Sequence, residues 1–326
     1  MAAPRLFPLV LTVAVLAAGG CTSGGGGPLP GSPTASGVAG PVGPGTTGSP
    51  AATPAPAGLT PDAYRAELDA VRGPVRAALS RLADAGSLKS LESRAGDAQE
   101  ALGEAADRLE PLVPPAEARA EHEGYVAALR DLSEGLADAS SAVSARSVCT
   151  ASGLLAELGR SGELKALEEA GGALAGRGDY PADVVSVKAR ERTSRRLPNG
   201  RYLRSESRTG RGTLAISNGG TDDAVVTLVR GKSRAISVYV RKKSKFTVAG
   251  VRDGTYRVYF ASGADWDAGR RSFTRSCVFQ RFDDTVPFKT TYTATEVRWN
   301  NWRITLHAIT GGNAKISGVD PGDFPG

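Results

Sequence analysis

The chain has 326 residues, with 40 Lys and Arg against 34 Asp and Glu, two His and three Cys. With His122 and His307 in separate predicted domains, and no second His, Cys or carboxylate pair at ligand spacing from His122, the sequence supports neither a Ser-His-Asp triad nor a metal site at His122, and no cofactor is expected. Despite a net charge of +6, the lack of any base-reading motif, with the export predicted from residues 1–20, argues against nucleic acid as a partner.

In chain order, residues 1–20 come first. Arg5 is a positive n-region and Leu6 to Ala17 an apolar run, shorter than the ~20 residues a spanning helix needs, so a cleaved signal peptide is predicted. Ala18, Gly19, Gly20 and Cys21 resemble the lipobox of bacterial lipoproteins, with Ala18 where that pattern usually carries Leu. The resemblance implies diacylglycerol on Cys21 and a protein held on the outer face of the cell membrane by lipid. Ordinary secretion, with Cys21 left as a thiol, is the alternative. Residues 21–59 are almost only Gly, Pro, Ser, Thr, Ala and Val, uncharged from Thr22 to Gly58 and without apolar periodicity, so they read as a disordered tether. A Gly-rich coil of roughly 37 residues spans ~35 Å. In composition the chain resembles high-GC actinobacterial exported proteins.

Residues 60–180 carry helical periodicity. Tyr64, Leu68, Val71, Val75, Leu79 and Leu82 share one face, interrupted at Gly73 and Pro74. Leu88, Leu91, Ala95, Ala98, Leu102, Ala105, Leu109 and Leu112 form a second stripe, and Ala118 to Val143 a third. Shorter helices are expected around Leu154 to Leu158 and Leu164 to Leu174. Short connections predict antiparallel neighbours in an up-and-down bundle. His122, on the buried stripe, reads as a hydrogen-bonded core histidine.

Residues 181–211 form a basic junction: nine Lys and Arg from Lys188 to Arg211 stand against Glu191 and Glu206. It reads as a solvated linker, with docking onto the acidic bundle, or attraction to anionic lipid or a teichoic-type polymer, as alternatives.

From residue 212 to 326 the period changes to short runs rich in Val, Ile, Thr, Tyr and Phe: 213–217, 224–229, 235–241, 245–249, 255–261, 272–282, 289–297 and 302–309. The expected fold is therefore α+β with two domains, an antiparallel helical bundle followed by an antiparallel β-sandwich of immunoglobulin-like or transthyretin-like shape. The Val251, Arg252, Asp253, Gly254, Thr255, Tyr256 series resembles a hairpin of extracytoplasmic carboxypeptidase-regulatory-like sandwiches. Asp223 to Val226, Tyr239 to Arg241, Asp265 to Asp267 and Phe273, Thr274 resemble an uncharacterised domain of exported bacterial proteins, which implies no particular activity.

If each run crosses the sandwich once, alternate loops share an end. Asp222, Asp223, Asp265, Trp266, Asp267, Trp299, Asn300 and Asn301 then fall together, and Asp253, Asp283 and Asp284 lie opposite. Indole faces among carboxylates and amides suit a saccharide, so cell-wall polysaccharide is a candidate ligand; the alternatives are Ca²⁺ on the carboxylates, or a structural role in which Trp266 and Trp299 plug the end of the core and the Asp residues serve turns. An anionic envelope polymer is the other candidate partner. The reading is a non-enzymatic envelope binding or structural module; a wall-polymer hydrolase using Asp265 and Asp267, or a scaffold acting through the bundle, are the alternatives. In an oxidising compartment Cys149 and Cys277 are either a bridge between the domains or two buried thiols. The oligomeric state is not encoded in any feature read here.

Overall fold

The computed structural model describes residues 58–307 and 314–325. The signal segment, Cys21 and nearly all of the tether lie outside the described residues. The first half is five helices: α1 (Pro61–Ala83), α2 (Leu88–Leu109), α3 (Arg119–Ser144), α4 (Ala151–Ser161) and α5 (Glu163–Ala175). Side-chain caps fix three starts. Thr60 Oγ1 accepts from Ala63 N at 3.3 Å, Ser87 and Ser90 form a reciprocal capping box on α2, and Thr150 Oγ1 accepts from Gly153 N at 3.1 Å. Gly162, at φ +90°, separates α4 from α5.

α1 runs unbroken through Gly73 and Pro74, where the sequence suggested an interruption. A proline inside an isolated helix costs ~3 kcal/mol. Here Tyr64, Leu68, Val75, Leu79 and Leu82 are fully buried on one face, and that packing holds the helix together across the missing hydrogen bond. All five helices share one core, to which Tyr180, Ala182 and Val184 of the following segment also belong. His122 is buried, with Nδ1 2.9 Å from Tyr64 Oη; burial lowers its pKa.

The second half is largely antiparallel sheet. The larger sheet has the order β1 (Tyr202–Ser205), β4 (Ser233–Val240), β3 (Asp223–Arg230), β6 (Gly254–Asp267), β7 (Ser272–Phe282), β12 (Ile316–Gly318), with β8 (Val286–Phe288) also paired to β6. The smaller sheet is β11 (Trp302–Thr305), β2 (Gly212–Asn218) and β5 (Ser244–Val251), in which β11 runs parallel to β2. A two-stranded ribbon joins β9 (Thr290–Tyr292) to β10 (Val297–Trp299). Leu214, Ile216, Val248 and Ile304 of the smaller sheet share a core with Val226, Leu228, Val238 and Phe260 of the larger one.

Three local expectations change. The predicted strand 289–297 is the β9–β10 ribbon, which turns the chain back on itself. Tyr202–Ser205, placed in the linker by its charge, is an edge strand paired with β4. Val251 to Tyr256 is a crossover: β5 pairs with β2, whereas β6 pairs with β3 and β7, so no hairpin joins them. The reason is visible in the burial pattern, since Val248 and Val251 enter the common core from one sheet and Tyr256, Val258 and Phe260 from the other.

The helical and β halves are parts of one compact unit, Pro54–Gly326. Cys149 N donates to Thr274 O at 2.8 Å, and Cys277 N to Arg146 O at 3.1 Å, so the α3–α4 connection lies along β7. A disulfide joins Cys149 to Cys277, with Cα atoms 6.3 Å apart.

Candidate functional site

The structure brings together part of the predicted loop end and separates the rest. Asp223 pairs with Gly263 across β3 and β6, which places Asp223, Asp265, Trp266 and Asp267 in one region. Asp222 is beside them and accepts through its carbonyl from Asn218 Nδ2 at 2.9 Å. Trp299, Asn300 and Asn301 lie at the opposite end, where Thr213 N donates to Asn301 Oδ1 at 2.9 Å and Asn300 Oδ1 accepts from Lys289 N at 2.7 Å. The extra reversal in the β9–β10 ribbon changes the parity of the later loops. Trp299 therefore shares an end with Asp253, whose Oδ2 accepts from Thr290 N at 2.8 Å.

The clustered carboxylates are already occupied, by the basic junction. Asp265 accepts from Thr193 Oγ1, from Arg195 N, Nε and Nη2, and from Thr274 Oγ1, all between 2.7 and 3.0 Å. Asp223 accepts from Arg196 Nε and Nη2 at 2.6 Å each, from Tyr239 Oη and from Lys242 N. Asp267 accepts from Ser152 of α4 and from the N–H groups of Gly269 and Arg270. Residues 193–201 therefore run bound along the sheet, where the sequence suggested a solvated linker or a dock on the bundle; Trp266 N donates to Arg195 O and Gly200 N to Tyr239 O.

Burial raises each of the three carboxyl pKa values, and the hydrogen bonds from the Arg, Tyr, Ser and backbone donors outweigh it, holding all three below the usual carboxylate range. The side chains of Asp223 and Asp265 are only 6% and 3% exposed. Trp266 is 4% exposed and meets Phe273 edge-on at 5.1 Å and Tyr239 at 5.9 Å. Its ring packs into an aromatic core, and the little that stays exposed is part of the wall of an adjoining cleft.

A different feature has the dimensions of a ligand site. Between the outer face of the larger sheet and the end of the bundle lies a cleft of about 1020 Å³, at the upper end of the range of small-molecule sites. Val225, Thr227, Ser237 and Ala261 lie on its sheet wall, the α1–α2 turn from Ala85 to Lys89 on its helical wall, and Asp320 to Pro325 at its margin. Six cations line it, Lys89, Arg146, Arg204, Arg234, Arg270 and Arg271, against two acids, Glu92 and Asp320. None of the six forms an ion pair among the described residues. Glu92 accepts from Ser144 Oγ and Asp320 from Gly322 N, so both acids have partners of their own.

The sequence carried one signal for this cleft. β3 is buried at seven successive residues and β4 at six, so both faces of each are covered. A one-sided antiparallel sheet alternates apolar and polar residues, whereas the apolar run of β3 marks a second cover.

Among the described residues no group of three or more His, Cys, Asp or Glu is placed to hold a metal ion, and no helix is long and apolar enough to cross a membrane. The chain matches no family model, no curated protein and no solved structure.

Proposed function

We propose that the protein is an envelope binding module, lipid-anchored through Cys21 on the extracytoplasmic side, whose ligand site is the cleft between the bundle and the larger sheet and whose ligand is anionic. The observation that carries the reading is six cations around one cleft of about 1020 Å³, none of them in an ion pair among the described residues. Guanidinium groups that form no ion pair among the described residues repel one another and supply forked donors to phosphate or carboxylate oxygens. An anionic envelope polymer or an anionic lipid of the surrounding membrane has the required charge.

The lipobox and the uncharged tether support the location. The β half is read as a sandwich of transthyretin-like type, because a four-strand run, β4-β3-β6-β7, opposes a three-strand sheet that contains one parallel pair. The reading is non-catalytic, since Asp265 and Asp267, the pair considered for acid–base work, are held ionised by neighbouring donors and Asp265 is buried.

Two measurements test the proposal. Mass spectrometry of the exported protein should show an acylated N-terminal Cys21; an unmodified thiol there removes the anchor. Calorimetry with a teichoic-type polyanion and with a neutral polysaccharide should show binding of the first only, weakening as salt rises and reduced in Arg234→Ala. Equal binding of the two polymers would remove the cationic cleft as the site.

A further inference from the structure

The cleft is polarised across the sheet. Neighbouring strands lie ~4.8 Å apart, so the four steps from β1 to β7 separate Arg204 from Phe279 by about 19 Å across the floor. At the β1–β4 edge Arg204 Nε donates to Arg234 O at 2.6 Å, which holds the two residues together. Arg271 joins them from the β6–β7 turn: the paired Trp266 and Phe273 just inside that turn both pack on Tyr239 of β4, so the turn arches over that edge. Burial lowers the pKa of Arg234, and the charges of Arg204 and Arg271 add to the effect. At the other side of the floor lies an apolar patch, beside Arg146, whose carbonyl accepts from Cys277 N of β7 at 3.1 Å. Phe279 meets Phe324 at 5.1 Å, with Ala261 in the same cluster. The hydroxyls of Thr227 and Ser237, 3.0 Å apart, lie between the two zones.

A bare polyanion would meet the cations and leave the patch of Ala261, Phe279 and Phe324 without a partner. From this segregation we infer that the cleft takes an amphiphilic phosphate, its oxyanion on Arg204, Arg234 and Arg271 and its apolar body along Ala261, Phe279 and Phe324. The inference rests on the reading of the cleft as an anion site and adds the chemical class of the ligand. A lipid phosphate and the phosphate groups of a polymer share the head chemistry, and an apolar body distinguishes them.

The test uses the full chain carrying Cys21→Ser, which cannot be acylated, with three probes followed by calorimetry and tryptophan fluorescence: dodecyl phosphate below its micelle concentration, inorganic phosphate, and dodecyl maltoside. Dodecyl phosphate should bind at least tenfold tighter than inorganic phosphate, and dodecyl maltoside should not compete with it. Arg234→Ala or Arg271→Ala should weaken dodecyl phosphate at least tenfold. Phe324→Ser, at the half-buried margin, should weaken dodecyl phosphate and leave inorganic phosphate unchanged. Unaltered near-ultraviolet circular dichroism certifies each variant as folded, and the two Arg variants check one another. If both phosphates bind equally and depend on Arg234, the amphiphile is refuted while the anion site stands. If neither binds, or neither depends on Arg234 or Arg271, both fall.

Discussion

Asp265→Asn isolates the charge that ties the basic segment to the sheet. Asp265 sits at φ +58°, a left-handed conformation that Asn adopts as readily as Asp, so the substitution leaves the backbone preference in place. The amide keeps one acceptor for Thr193 Oγ1 and for Arg195 N and Nε. Its NH₂ cannot accept from Arg195 Nη2 or Thr274 Oγ1, which donate to Oδ2 at 3.0 and 2.7 Å. Losing the neutral bond costs ~1 kcal/mol, and losing the charge-assisted bond and the ion pair costs more, discounted because Arg195 is 47% exposed. The expected total is about 3 kcal/mol. In urea denaturation, with a slope of ~3 kcal/mol per molar, the midpoint should fall by roughly 1 M. Asp183→Asn, which breaks exposed pairs with Arg72 and Arg76, is the control and should cost under ~1 kcal/mol. A loss below ~0.5 kcal/mol in Asp265→Asn, or one equal to the control, would refute the claim that this carboxylate anchors residues 193–201.

Acid should destabilise the chain in a defined window. The folded carboxyls of Asp223, Asp265 and Asp267 titrate below the unfolded Asp value of ~3.9, so their contribution is complete above that value and is lost as pH falls through the folded values. Urea midpoints should be flat with respect to these groups from about pH 7 to 5, fall below about pH 4, and fall less in a chain carrying both Asp223→Asn and Asp265→Asn. Removing the disulfide with Cys149→Ser and Cys277→Ser frees a loop with a sequence separation of 128 residues, for which chain entropy sets a loss of up to about 5 kcal/mol; an unchanged thermal midpoint would contradict this. Gly153→Ala tests the fit of α4 on β7. Helix propensity favours Ala by ~1 kcal/mol, yet the added Cβ would meet Thr274 O at 2.7 Å, so we expect net destabilisation, with a rise in stability as the contrary result.

The helices were legible because each has a continuous apolar stripe, and even Pro74 could not outweigh the stripe around it. The strands were legible wherever burial is one-sided, as in β2, whose buried residues alternate from Gly212 to Asn218. The site was harder to see. Charge alone marked residues 188–211 as mobile, because a sequence does not reveal that Arg195 and Arg196 meet Asp265 and Asp223 across 70 and 27 residues. Loop parity brought Asp223 and Asp265 together correctly and then failed at the β9–β10 ribbon, where residues of high strand propensity form two strands instead of one. The apolar run of β3 is the sequence's one trace of the cleft, because the walls come from elements distant in sequence, the α1–α2 turn, the outer sheet face and residues 320–325.

The disulfide also sets an order of assembly. The bond between Cys149 and Cys277 closes a ring that contains α4, α5, the arginine segment and β1 to β6. During N-to-C synthesis the bundle core can form early, but the ring closes only after β7 has arrived. Contacts so distant in sequence are slow to find one another. Arg204, Arg234 and Arg271 all lie inside that ring, whereas residues 320–325, which supply the margin of the cleft, lie beyond it.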